Sequence, residues 1–173
     1  MILNLVPEND ELLSTKLKVF DFDKFDAELL KKNLLDSMIF YEGIGLAANQ
    51  VGINARVFAM VHEKKSLIVI NPEIITVSEE KIKSIEGCLS FKGLYPKVMR
   101  PMGVSAKFKN EKNEDMMLAF TGLSARVFLH EYDHLNGIKF HDRTTRYDMS
   151  IARRKSVAII RKMKKEKNGS KNN

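Results

Sequence analysis

The chain has a single cysteine, no tryptophan and only four prolines in 173 residues. Cys88 has no partner for an internal disulfide, and a fold without that staple suits a reducing compartment. No apolar run approaches the roughly 18 residues of a membrane-spanning helix. The start, Met1 to Pro7, lacks the basic residues and long apolar core of a secretion signal. Glu8, Asp10 and Glu11 make it too acidic for a transit peptide. These absences exclude a disulfide scaffold and lead us to expect a cytosolic protein, bacterial or made inside a bacterium by a virus.

Hydrophobic residues make up 44% of the chain, enough for one buried core at this length. We expect one domain over residues 1–163 and a basic tail without fixed structure over 164–173. Charge is unevenly placed. Residues 151–173 hold nine Lys or Arg and one Glu, a balance of +8, so the rest of the chain carries −1 of the total +7. Ile151 to Met163 spaces its apolar residues as a helix with one docked face and one basic face.

Ala27, Leu30, Leu34, Met38 and Tyr41 recur at steps of three or four, which predicts a helix from Asp26 to Tyr41 with a glycine stop at Gly43. Short β-rich runs follow at Arg56–Val61, Leu67–Asn71, Ile74–Ser78, Lys81–Ile85, Val104–Phe108 and Met116–Phe120, with a hairpin turn at Lys109 to Asn113. A second helix leads in from Gly122 and stops at Asn136-Gly137. The fold class is therefore α+β, with antiparallel strands packed around this second, central helix and a C-terminal helix after it.

The chemistry concentrates in His130-Glu131-Tyr132-Asp133-His134. Residues i and i+4 share a helix face, so His130 and His134 can offer two imidazole nitrogens to one metal ion. Glu131 travels beside that ion but is poorly placed to ligate it, which leaves its carboxylate free to accept a proton from water. A hydrolytic site wants about three protein ligands and an open position. Cys88, in Glu86-Gly87-Cys88-Leu89-Ser90, offers a thiolate. His141 falls one residue late for the third histidine of a metzincin protease, and Asp142 and Asp148 are further candidates. A third segment, Gly43-Ile44-Gly45-Leu46-Ala47-Ala48-Asn49-Gln50, combines glycines that let backbone approach a ligand with a terminal amide donor.

Taken in order, these segments resemble the three motifs of the peptide deformylases: Gly-x-Gly-Leu-Ala-Ala-x-Gln, Glu-Gly-Cys-Leu-Ser and His-Glu-x-x-His. The resemblance runs from Val6-Pro7 to beyond Thr145. It implies hydrolysis of the formyl group from formyl-methionyl nascent peptides, with formate released. It implies Cys88, His130 and His134 as ligands of one divalent metal, Fe2+ in the cell, replaceable by Zn2+, Ni2+ or Co2+. It implies Glu131 as general acid/base for attack by a metal-held water, and Gln50 with the Leu89 N–H as oxyanion donors. Gly43, Ile44, Gly45, Glu86, Gly87, Leu123 and Val127 would contact substrate, with Ile44, Leu123 and Val127 around the methionine side chain. Arg100 and Asp133 would hold the motif helix and strand.

The chain departs from the family at Lys92 after Phe91, at Met99 in Val98-Met99-Arg100, and at Ser84, all at the substrate rim. An enzyme with this substrate works beside a phosphate-rich ribosome, so the basic C-terminal helix suits ribosomal RNA. We expect a monomer with no membrane attachment. Two rival readings compete: a near-metzincin protease that uses His141, and a basic ribosome- or RNA-binding protein with a decayed or structural metal site.

Overall fold

A computed structural model describes residues 1–169, with side chains described to residue 161. Two antiparallel sheets and three α-helices form it. The larger sheet has strand order β1-β2-β3-β6-β7, comprising Gly45–Ala47, Val57–His62, Lys65–Val77, Gly103–Lys109 and Asp115–Thr121. The smaller pairs β4 (Lys81–Ile85) with β5 (Lys97–Pro101). Helix α1 spans Ala27–Phe40, α2 spans Gly122–Leu135 and α3 spans Arg146–Gly169. The α+β layout around a central helix is as expected.

The larger sheet is covered on both faces, which explains why β2 is apolar without alternation. Phe58 and Met60 point to the α2 side, while Val57 and Ala59 point to α1. Phe128 of α2 stacks on Phe120 at 4.9 Å and meets Phe58 edge-on at 5.3 Å. On the opposite face Leu34 and Met38 of α1 pack on Ile68 and Ile70. Seven consecutive residues of α2, Ala125 to Glu131, are buried, so its polar motif residues sit inside the protein.

Asp26 caps α1, its side chain accepting from Leu29 N at 2.9 Å. The stop falls one residue earlier than predicted. Glu42 takes the left-handed conformation (φ 58°), and the Gly43 N–H closes onto Met38 O at 2.9 Å. The end of α2 matches its prediction: Asn136 is the cap, and Gly137 has φ 69°. A Cβ at Gly137 would come within 2.6 Å of the Ser14 backbone, so only glycine fits.

Two strand expectations are corrected. Leu67–Asn71 and Ile74–Ser78 are not separate strands but parts of β3, which bulges between Ile70 and Glu73. Asn71 takes φ 51° there, and its side chain bonds both backbone groups of Phe20, at 2.7 and 3.0 Å. The Ile74–Ser78 segment pairs with β6, and Lys81–Ile85 pairs with β5, a strand the sequence did not suggest. The C-terminal helix begins earlier than Ile151, at Arg146. The boundary expected at 163/164 falls within α3, and residues 170–173 lie outside the described residues.

Candidate active site

Three elements converge at one end of α2. That helix brings His130, Glu131 and His134, the loop after β4 brings Cys88, and the 3₁₀ turn Ala48–Val51 after β1 brings Gln50. The Cys88, His130 and His134 donor atoms lie within 4.8 Å of one another, and no other group of three His, Cys, Asp or Glu does so among the described residues. Cys88 Sγ is 3.3 Å from His134 Nε2. His130 Nδ1 is 3.0 Å from Glu86, so its Nε2 is the nitrogen left for a metal. His141 stands apart, edge-on to Phe91 and 3.8 Å from Asp142. Asp148 is spent on Lys83 at 2.6 Å. The alternative third ligands are not at this site.

Electrostatics fit the donor set to a cation. Burial, the His130 charge and Arg100 push His134 well below the usual imidazole range, leaving a neutral ring with a lone pair to give. Burial would lower His130 too, but hydrogen bonds to Cys88 and Glu86 outweigh it and raise the ring to about 10. The site thus draws positive charge, either a proton on His130 or a metal ion in its place.

Glu86 was expected to touch substrate. It borders the cavity, and its carboxylate is held by charged neighbours. Arg100 reaches it with Nε at 2.7 Å and Nη2 at 3.0 Å, and Arg126 Nη1 reaches it at 2.6 Å. Burial would raise Glu86, yet the hydrogen bonds from His130 and Arg100 hold it down at about 2. Arg100 also donates to Asp133 at 2.7 Å, and Arg143 grips Asp133 at 2.7 and 3.1 Å. A run of ion pairs, Arg143–Asp133–Arg100–Glu86–His130, therefore fixes the His130 ring. Arg100 and Asp133, expected to hold the motif helix and strand, both lie in this run. Arg126 and Arg143 were missed, although Arg126 lies one turn before His130 on the same face.

Glu131 lies against the first motif. A Cβ on Gly45 would overlap its carboxylate, so β1 passes the base with glycine where nothing larger fits. Burial pushes the Glu131 carboxyl up to about 7 despite the opposing charges of His130 and Arg100. Its Oε2 is buried with no hydrogen-bond partner among the described residues. A base poised near neutrality and aimed into a cavity is suited to moving a proton to and from substrate or water. We expect Gly45→Ala to displace this carboxylate and lower kcat roughly 100-fold with metal content unchanged. Steady-state kinetics with elemental analysis checks it, and wild-type turnover in the variant would remove the role given to Gly45.

Gln50 is oriented rather than free. Ala47 N–H donates to its Oε1 at 2.8 Å, which turns Nε2 toward Cys88 Sγ at 3.4 Å and Ser90 Oγ at 3.1 Å. The Leu89 N–H finds no acceptor among the described residues. A cavity of about 310 Å³ opens above these groups. It is lined by every expected site residue except His134, Arg100 and Asp133, and also by Glu42, Ile85, Tyr95 and Arg126, which carried no sequence signal. Leu123 is two-thirds exposed and Ile44 half exposed at its mouth, while Val127 is buried within it.

Comparison with known proteins gives one consistent result. The family model described as polypeptide deformylase matches residues 2–150. A peptide deformylase of Natranaerobius thermophilus is 43% identical over 145 residues, 83% of this chain and 93% of that protein. The crystal structure of peptide deformylase from Thermotoga maritima superposes with a TM-score of 0.80 at 35% identity, covering 84% of this chain and 99% of that one. A peptide deformylase from Synechococcus elongatus, solved in complex with actinonin, gives 0.81 at 36% identity over 87% and 83% of the two chains.

Proposed function

The chain belongs to the polypeptide deformylase family, and on that premise we propose how its own residues perform the reaction. It is a metal-dependent hydrolase that removes the formyl group from formyl-methionyl peptides. The observation that carries the residue assignment is the convergence of Cys88, His130 and His134 beside Glu131, whose Oε2 has no hydrogen-bond partner among the described residues, at one cavity.

Cys88 Sγ and the Nε2 atoms of His130 and His134 would hold a divalent ion, which would supply Lewis acidity at the formyl group. Glu131 accepts a proton from the attacking water. As the C–N bond of the formamide breaks, the same carboxyl returns that proton to the leaving nitrogen, so formate and a free α-amine depart. Gln50 Nε2, held by Ala47, and the Leu89 N–H donate to the formyl oxygen as charge builds there. One such donor is typically worth about 3 kcal/mol of barrier. Ile44, Leu123 and Val127 cradle the methionine side chain. Gly43, Gly45 and Gly87 line the substrate cavity, and their missing side chains leave room for Leu89, Glu131 and Tyr95. Arg100 and Asp133, with Glu86, hold His130 in place.

The test is Cys88→Ala. We expect the purified variant to lose stoichiometric metal, by elemental analysis, and formate release with it. A protease using His141 would keep its metal; the distance of His141 from the donors disfavours that reading.

A thiolate in the donor set favours Fe2+ in the cell, with Zn2+, Ni2+ or Co2+ as substitutes, and oxygen-dependent loss of activity would report the iron form. No helix among the described residues is long and apolar enough to cross a membrane. We place the enzyme in the bacterial cytosol as a monomer, which fractionation and sedimentation would test. Arg153, Arg154 and Lys155 stand exposed on α3, and we assign them to ribosomal RNA. Replacing all three by Glu should abolish cosedimentation with ribosomes at low salt; unchanged cosedimentation would remove that assignment.

A further inference from the structure

Asn49 holds the open position of the first motif, directly before Gln50. Its side chain is fully buried. Nδ2 donates to His134 O at 2.9 Å and to Leu12 O at 3.3 Å, so two carbonyl oxygens fix which end of the amide is which. His134 O is one of the last carbonyls of α2, which a helix cannot satisfy by itself. One side chain therefore ties the end of the metal-binding helix to the turn that carries the Gln50 amide, and both to the 3₁₀ turn Glu11–Ser14.

A second observation concerns the same two residues. His134 turns Nε2 to Cys88 Sγ at 3.3 Å, and with that nitrogen given to a metal ion the ring proton would lie on Nδ1. That Nδ1 is buried with no hydrogen-bond partner among the described residues, and so is Asn49 Oδ1. The two atoms do not bond each other, so Nδ2 to the His134 carbonyl is the hydrogen bond that joins these residues. A metal-binding histidine ordinarily gives its second ring nitrogen a partner, as His130 has in Glu86.

We propose that Asn49 is a positioning residue that locks the metal donor His134 and the oxyanion donor Gln50 into one unit. This rests on the assignment of Cys88, His130 and His134 as metal donors. Asn49 touches no substrate. It sets the spacing between the metal donors and the Gln50 amide, which must both meet the same formyl oxygen. The family pattern leaves this position open, so the device belongs to the residue this chain carries there.

The test compares wild type, Asn49→Leu and Ser37→Ala as Co2+-loaded proteins. Ser37 is a buried α1 residue bonded to Leu3 N and Asn33 O, outside the cavity. We expect Asn49→Leu to shift the visible Co2+ spectrum, to release metal to a chelator about 10- to 100-fold faster, and to lower kcat by a similar factor at unchanged KM. Ser37→Ala should lower only the melting temperature. The proposal is overturned if Asn49→Leu behaves like Ser37→Ala, with spectrum, metal release and kcat as in wild type. If Asn49→Leu does not fold, Asn49→Ser, which keeps one hydroxyl donor, takes the same readouts. Wild type that binds no Co2+ would instead contradict the metal assignment itself.

Discussion

Glu131→Gln should lower kcat for a formyl-methionyl peptide by about 10²- to 10⁴-fold, the range of a lost general acid/base, while the protein keeps its metal and its fold. The reason is local. The carboxylate packs against Gly45, in space that glutamine fills equally well. Glutamine cannot accept a proton from water or pass one to a leaving nitrogen. The ligands Cys88, His130 and His134 are untouched, so metal content should stay at wild-type level and KM should change little. Steady-state kinetics with elemental analysis separates this outcome from its alternative. If Glu131→Gln turned over at the wild-type rate with metal in place, another group would be moving the proton.

The second large effect is expected at Arg100, through stability rather than chemistry. Arg100 is 4% exposed and contacts Glu86 and Asp133, themselves 6% and 4% exposed. Burial would lower its pKa, but the two carboxylates outweigh that and raise it, so the guanidinium stays charged. Arg100→Met keeps the approximate volume and removes the charge between two buried anions. Removing one partner from a buried pair costs about 3–5 kcal/mol. Arg126 and Arg143 still contact Glu86 and Asp133, which puts the expectation near 3 kcal/mol. A chain of this size should then melt roughly 6–12 °C lower. Glu86 would also hold His130 less firmly, so metal affinity should fall with stability. Calorimetry and chelator competition check both. A stable Arg100→Met protein with unchanged metal affinity would mean that the ion pairs are incidental to the metal site.

The groups proposed to do the chemistry are legible because their signals are local. His130 and His134 declare themselves by helical spacing, and Cys88 and Gln50 by the motifs around them. The residues that hold those groups were harder to see. Arg126 and Arg143 look like ordinary surface charge until the fold buries Glu86 and Asp133 beside them. Ile85, at the end of β4, and Tyr95, in the loop between β4 and β5, line the cavity with no motif around them to announce it. The strand errors have a similar origin. Asn71-Pro72 carries a turn signal, yet the Phe20 backbone satisfies Asn71 and the strand continues through the bulge. The partner of Lys81–Ile85 is Lys97–Pro101, beyond the Cys88 loop, so a rule of adjacent hairpins could not find it.

The most direct test is formate release from formyl-Met-Ala-Ser by anaerobically purified, iron-loaded protein, beside the same protein stripped by a chelator and then reloaded. The account predicts formate and new amino termini in equal amounts from the loaded and reloaded protein and none from the stripped protein. Folded protein with one bound metal ion per chain and no formate would contradict it.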